Sequence, residues 1–126
     1  MIVVLLRVSG DDDHITEELL GRRFRISPYS FFQTNTRGAG ALYNLLREWL
    51  KELSAKHILD LYCGSGAISL CVADLCERVM GVEVIDSAVL DARYNAEANK
   101  VKNAEFMAAK TEDLLPMLAA QNLEVD

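Results

Sequence analysis

From residue 57 to its end, the sequence alternates between short apolar runs and longer segments with helical periodicity. The segments lie at residues 57–62, 66–76, 78–84, 86–99, 104–109 and 111–120. Such alternation predicts an α/β fold in which helices connect the strands of a parallel sheet. Because such connections are right-handed, the three strands should lie in the order 3-2-1. This half-sheet would leave its first strand as an apolar edge where a fourth strand normally pairs, so we expect the isolated chain to be marginally stable or to associate.

A small antiparallel β segment is predicted ahead of this alternation. Residues 2–8 and 22–26 have the composition of short strands, and residues 14–18 can supply a third extended piece. We therefore divide the chain into residues 1–34, which hold this segment and a turn, and residues 35–126, which hold the first half of a larger α/β domain.

A helix is predicted over residues 38–53, with Asn35 or Thr36 as its N-cap. Leucine and tryptophan recur there at helical spacing, which predicts one buried stripe. The stripe consists of Leu42, Leu45, Leu46, Trp49, Leu50 and Leu53.

Charge argues against a general polyanion-binding surface. The 19 Asp and Glu outnumber the 13 Lys and Arg, which gives a net charge of −6. The basic residues concentrate only at Arg22, Arg23, Arg25 and Arg37. A solvated edge is the simpler interpretation of these arginines, and local contact with RNA is the alternative.

Cysteine and histidine usage predicts neither disulfides nor a metal site. Cys63, Cys71 and Cys76 are odd in number and lack CxxC spacing, and the two histidines, His14 and His57, lack the spacing of metal ligands. We expect a reducing compartment, with the cytoplasm as our prediction and a nucleus or an organelle as open alternatives. No apolar run approaches the roughly 18 residues of a membrane span, so we predict no membrane association.

The strand from Ile58 runs into a glycine loop that ends at Gly66, and this junction predicts a ligand site. Gly64 and Gly66 can expose backbone N–H groups at the start of the next helix and allow a ligand to approach. Glu83 follows Gly66 by 17 positions, at the end of the next strand, where a carboxylate can accept hydrogen bonds from ribose hydroxyls. Together these features favour a nucleoside cofactor over the simpler alternatives of a tight turn and a surface carboxylate.

The identity of the nucleoside depends on two further residues. Ser69 occupies the third small position of the dinucleotide pattern G-x-G-x-x-G, which makes NAD less favoured. Asp60, at the end of the first strand, can hold the ammonium group of S-adenosylmethionine, or it can cap the following helix, or both. S-adenosylmethionine is therefore the cofactor we predict, and an NAD-linked oxidoreductase is the alternative.

Phe24 to Asn35, with the sequence FRISPYSFFQTN, closely resembles the start of the catalytic domain of RNA uracil-5-methyltransferases, which act on tRNA or ribosomal RNA. The resemblance covers roughly residues 14–118 and is carried by further segments. These segments are Ile58 to Gly66, Gly81 to Glu83, Ala88 to Asn99 with its paired Asn95 and Asn99, and Glu112 to Pro116. The resemblance implies a Rossmann-like class I methyltransferase half-sheet, S-adenosylmethionine as cofactor and RNA as substrate.

The resemblance also implies individual roles. Gln33 would contact the methionine portion of the cofactor, Tyr62 would line the pocket beside the glycine loop, and Glu83 would hold the ribose. Two positions depart from the pattern of some members, Ala67 and Lys110, so adenine contacts near Lys110 are not predicted.

No catalytic residue is predicted in this chain. In the family the nucleophilic cysteine and the base belong to later segments, and Cys63 lies in the loop that contacts the cofactor. We therefore predict a partial chain that binds S-adenosylmethionine without turnover. A non-catalytic RNA-binding module that uses the four arginines is the alternative from another class.

Overall fold

The computed structural model describes residues 14–28, 30, 35–121 and 125–126. It begins with an antiparallel hairpin of β1 (Ile15–Leu19) and β2 (Arg22–Ile26). Leu20 and Gly21 form the turn with φ angles of 50° and 72°, as the tight hairpin turn with two left-handed residues requires. The predicted strand at 22–26 is confirmed, and the extended piece at 14–18 is its partner. The strand predicted at residues 2–8 lies outside the described residues.

Helix α1 (Thr36–Leu53) follows and begins two residues before the predicted start at 38; Asn35, one of the two predicted candidates, is its N-cap. The Asn35 side chain accepts a hydrogen bond from the Gly38 N–H at 2.9 Å, which satisfies one of the unpaired donors of the first turn.

The prediction that one leucine-rich stripe of α1 is buried is wrong for much of that stripe. Ala39 and Tyr43 are buried, whereas Trp49 and Leu53 are 54% and 73% exposed, and Leu42 and Leu45 are also exposed. The apolar surface of α1 is wider than the face that packs on the hairpin and on the next helix, so only one side of it is covered within the described residues.

A three-stranded parallel sheet forms the rest of the fold. Its strands are β3 (His57–Leu61), β4 (Arg78–Glu83) and β5 (Ala104–Ala108), in the order β3-β4-β5. The helices are α2 (Ala67–Val72), which continues as a 3-10 turn over Ala73–Leu75, α3 (Asp86–Ala98) and α4 (Thr111–Ala120). The predicted alternation of strands and helices is confirmed. The predicted strands 1, 2 and 3 are β3, β4 and β5, so the predicted order 3-2-1 is also confirmed. No helix within the described part of the chain is long and apolar enough to cross a membrane.

Asn95 and Asn99 join α3 to the outer backbone edge of β2. Asn99 Oδ1 accepts from the Arg23 N–H at 3.1 Å, and Asn99 Nδ2 donates to the Arg23 carbonyl at 2.7 Å. Asn95 makes the same pair of contacts with Arg25, at 2.6 Å and 2.9 Å. Among the described residues, these side chains satisfy the N–H and carbonyl groups along that edge of β2 as a paired strand would. Together with Asp91 we call them the polar ladder.

Asp91 is the third member of the polar ladder and is only 2% exposed. Its carboxylate accepts from the Ser27 N–H at 2.7 Å, the Ser27 hydroxyl at 2.9 Å and the Ser30 hydroxyl at 3.0 Å. Arg25 lies 3.5 Å from Asp91 Oδ1 and 5.1 Å from the centre of the Tyr94 ring. The buried Asp91 carboxylate is tolerated because hydrogen-bond donors surround it. Its bonds to Ser27 and Ser30 hold the chain that leaves β2 in place.

Close backbone packing under the sheet depends on glycine at position 81. A Cβ there would lie 2.6 Å from Cδ1 of the buried Phe106 ring and 2.8 Å from Cys63 Sγ. By contrast, a Cβ at Gly40, on the surface of α1, would come no closer than 3.6 Å, to Leu19 Cδ1.

We expect these two glycines to respond oppositely to alanine. Gly81→Ala should lower the free energy of unfolding by about 1 to 3 kcal/mol because Phe106 must move. Gly40→Ala should raise it by about 0.5 to 1 kcal/mol because alanine costs less entropy in a helix. Urea unfolding followed by circular dichroism measures both, and a Gly81→Ala protein as stable as the parent would contradict the packing described.

Candidate functional site

The loop between β3 and α2 is built from residues in unusual backbone conformations. Tyr62, Gly64 and Gly66 have φ angles of 61°, 54° and 83°. The Cys63 N–H donates to the Val82 carbonyl at 2.9 Å, which extends the pairing of β3 with β4 into the loop. A tyrosine with positive φ is uncommon and is found mainly where a site constrains the backbone. Its side chain is 68% exposed at the mouth of the loop.

Glu83, at the end of β4, is bound to the glycine loop. Its Oε2 accepts from the Gly64 N–H at 3.0 Å, and its Oε1 accepts from the Val84 and Ile85 N–H groups at 2.8 Å and 3.1 Å. A carboxylate can accept about four hydrogen bonds, so one acceptor position remains on Oε2. Glu83 is therefore both a structural tie between the strand ends and a group with remaining capacity for a ligand.

Asp60 lies at the end of β3 and contacts the first turn of α2. Its Oδ2 accepts from the Ser69 N–H at 3.1 Å and from the Ser69 hydroxyl at 2.6 Å. Burial raises the pKa of the Asp60 carboxyl, and the bonds to Ser69 oppose that rise. The helix-capping alternative for Asp60 therefore holds. Its Oδ1 accepts no hydrogen bond from the residues that the structure describes.

A cavity of about 310 Å³ opens between these two carboxylates. We call it the inner cavity; its wall includes Asp60, Tyr62, Gly64, Ser65 and Glu83. The Ser65 side chain is 1% exposed, and its hydroxyl has no hydrogen-bond partner among the described residues. Four of the six predicted site residues thus meet at one cavity.

A second cavity of about 500 Å³, the outer cavity, shares Tyr62 with the first. Val84, Lys110, Thr111 and Glu112 also line it. No site was predicted at these positions from the sequence. Their position just after β4 and β5 is the sequence signal that could have indicated a site here, because the carboxyl ends of parallel strands meet at one edge of the sheet.

Gly66 has a packing role that the sequence did not reveal. A Cβ at this position would lie 3.0 Å from the Phe106 ring and 3.1 Å from Ala92 Cβ, and Gly66 is not part of the inner cavity wall. Contact between Gly66 and a cofactor stays a prediction. Gln33 lies outside the described residues, so its predicted contact with methionine also stays a prediction.

Cys63 belongs to the inner cavity wall but is poorly suited to nucleophilic attack. Burial, followed by the charges of Asp60 and Glu83, raises its pKa to about 12. Burial likewise raises the pKa of Cys71 to about 11. Thiols with such pKa values carry almost no thiolate near neutral pH. Within the described ranges, no group of three His, Cys, Asp or Glu side chains is placed to hold a metal ion.

Asp91 was not predicted from the sequence, although Asn95 and Asn99 were part of the family resemblance. The three side chains recur every four residues on α3, a spacing that places them on one face. Three short polar side chains at this spacing on a predicted helix that packs beside a sheet are a usable signal, because such groups need hydrogen-bond partners when they are buried.

Comparison with known proteins gives the family. The family model described as tRNA (Uracil-5-)-methyltransferase matches residues 6–122. The chain is 49% identical over 105 residues to tRNA (uracil-5-)-methyltransferase homolog B of Danio rerio, covering 83% of this chain and 22% of that protein. It is 44% identical over 117 residues to the Homo sapiens homolog A, covering 93% of this chain and 19% of that protein.

A solved structure is similar to this chain in both fold and sequence. The tRNA (uracil-54, C5)-methyltransferase of Pyrococcus abyssi, determined in complex with S-adenosyl-L-homocysteine, superposes with a TM-score of 0.68 at 34% identity. The match covers 79% of this chain and 24% of that one. The chain thus spans about a fifth to a quarter of the length of these relatives. On the family match and these identities, the chain belongs to the tRNA (uracil-5-)-methyltransferase family.

Proposed function

We propose that this chain binds S-adenosylmethionine in the inner and outer cavities, as part of an enzyme that methylates C5 of uridine in RNA. The observation that carries the proposal is the placement of Asp60 and Glu83 on the wall of one cavity, on either side of the glycine loop. The Asp60 carboxylate suits the ammonium group of the cofactor, and the Glu83 carboxylate suits its ribose hydroxyls. S-adenosylmethionine, when bound, supplies an activated methyl group.

Several features of the site fit this cofactor. Asp60 Oδ1 and the remaining position on Glu83 Oε2 can accept hydrogen bonds from the ammonium group and from a ribose hydroxyl. The outer cavity beside Val84 and Lys110 is the space we assign to the adenine.

The relatives support the substrate. The Pyrococcus abyssi protein is named for uracil 54 of tRNA and binds S-adenosyl-L-homocysteine, which is the product form of the cofactor. We extend both properties to this chain, with RNA as its partner. The raised pKa values of the thiols at positions 63 and 71 argue against either as the nucleophile, so we expect the described residues to bind the methyl donor without turnover.

The alternatives gain no support. The dinucleotide pattern of an NAD-linked oxidoreductase has glycine or alanine at position 69, whereas this chain has Ser69, whose hydroxyl donates to Asp60. An RNA-binding module would use four arginines, but Arg22 and Arg25 lie 3.7 Å and 3.5 Å from acidic side chains, which leaves Arg23 and Arg37 as the exposed pair on a chain with a net charge of −6. A reducing compartment, with the cytoplasm as its simplest case, stays part of the proposal because the three cysteines are free thiols.

Glu83→Gln should weaken binding of S-adenosylhomocysteine, measured by titration calorimetry. Loss of a charged acceptor costs about 1.5 to 3 kcal/mol, or roughly a 10- to 150-fold rise in Kd. Glu105→Gln is the matched control, because Glu105 is exposed and lines neither cavity. Equal affinity of the parent and Glu83→Gln would remove the ribose role.

Asp60→Asn should separate stability from binding. An amide oxygen keeps the contacts with Ser69, and the raised pKa of Asp60 means that its charged form opposes folding. The stability that Asp60 contributes is present below its unfolded pKa and is lost as pH rises through its higher folded pKa.

The Asp60→Asn variant should therefore melt at the same or a higher temperature than the parent at about pH 8, with the advantage shrinking toward about pH 4. Its affinity for S-adenosylhomocysteine should fall because the ammonium group loses a charged partner. Unchanged affinity would argue against the proposed contact.

Thiol reactivity should follow burial. We expect iodoacetamide at about pH 8 to modify Cys76, which is partly exposed, before Cys63 and Cys71. Peptide mass spectrometry reads the order, and the chain unfolded in urea, where all three thiols should react alike, is the control. Fast modification of Cys63 would instead mark it as an activated nucleophile.

A further inference from the structure

Asn95 makes one contact beyond the edge of β2. Its Nδ2 donates to the Ser65 carbonyl at 3.0 Å, in addition to the Arg25 carbonyl at 2.9 Å. Its Oδ1 accepts from the Arg25 N–H. The side chain is fully buried, and both of its N–H groups are used. Asn95 therefore joins three parts of the chain: α3, the hairpin and the glycine loop.

The glycine loop needs such an external restraint. Ser65 stands between Gly64 and Gly66, both of which have positive φ angles. Glycine adopts many backbone conformations at little cost, so these residues do not by themselves fix the direction of the Ser65 carbonyl. The Gly66 N–H of the same peptide donates to the Cys63 carbonyl at 2.9 Å within the loop, and the hydrogen bond from Asn95 adds a restraint on the Ser65 carbonyl from outside the loop.

We propose that Asn95 is a positioning residue of the cofactor site, which sets the affinity for S-adenosylmethionine by holding the Ser65 peptide and coupling it to the hairpin. This inference rests on the proposed function. A site whose polar groups are held in place before binding loses less entropy when the ligand arrives. The same amide nitrogen bonds Arg25, so the edge of β2 and the loop are restrained by one group.

Asn99 provides a matched control for this role. It bonds the Arg23 N–H and carbonyl as Asn95 bonds those of Arg25, and its remaining contact is with the Asn95 carbonyl. Both asparagines dock the hairpin, but the bond to the glycine loop comes from Asn95. Asn95 is fully buried and Asn99 is partly exposed, so binding is compared between folded variants. A role limited to docking the hairpin would then affect binding alike at the two positions.

Asn95→Asp keeps an acceptor for the Arg25 N–H and replaces both donors by a carboxylate that repels the two carbonyls. Calorimetry with S-adenosylhomocysteine, at a temperature at which circular dichroism shows each variant folded, should give a Kd raised about tenfold. Asn99→Asp should bind as the parent does. Equal weakening by the two variants, or weakening by neither, would overturn the inference while leaving the proposed function standing. A parent chain that does not bind would instead overturn the proposed function.

A second measurement needs no variant, so it remains decisive if Asn95→Asp does not fold. Hydrogen exchange on the parent chain, with and without S-adenosylhomocysteine, reports the Arg25 and Arg23 amides separately. Because Asn95 couples Arg25 to the loop, the cofactor should slow exchange at Arg25 at least several-fold more than at Arg23. Equal slowing of the two amides, or none, would overturn the coupling.

Discussion

The bonds from Asn95 and Asn99 to the edge of β2, and from Asp91 to the serines just after it, hold the two parts of this structure together. Four helical residues rise about 6 Å and two strand residues about 6.6 Å, so side chains four apart on a helix can meet alternate residues of a strand. This match lets α3 replace a neighbouring strand with side chains. The apolar face of the hairpin is thereby fixed against the core, where Phe24 is fully buried.

The sheet could be predicted from sequence because its signals are local. The apolar run around Val79 and Val82 and the glycines after β3 specify strands and a turn through nearby residues. The burial of α1 could not be predicted in the same way. Periodicity shows that Leu42 and Trp49 share a face, but which part of a broad apolar face is covered depends on the neighbours it packs against.

In the candidate site, too, local features could be predicted from the sequence and long-range contacts could not. Asp60 and Glu83 could be predicted because strand ends converge in a parallel sheet. The capping contact of Asp60 with the Ser69 N–H is also among the predicted roles. The bond from the Gly64 N–H to Glu83 is not, because it depends on how the loop folds back toward β4, which no spacing reveals. The sequence predicts that Gly66 lets a ligand approach, whereas its φ of 83° and the nearby Phe106 ring are what exclude a side chain there. Long-range packing of this kind leaves no pattern near the glycine itself.

The positive φ angle of Tyr62 has a consequence for variation at this position. Asparagine, aspartate and glycine tolerate such a backbone conformation well, whereas valine, isoleucine and threonine are strained in it. The side chain is at the same time the shared wall of two cavities. Replacements that relieve the backbone strain are too small to form that wall, and branched replacements of intermediate size cannot adopt the turn. Backbone geometry and cavity shape therefore both restrict which residues can replace Tyr62, and few side chains meet both requirements.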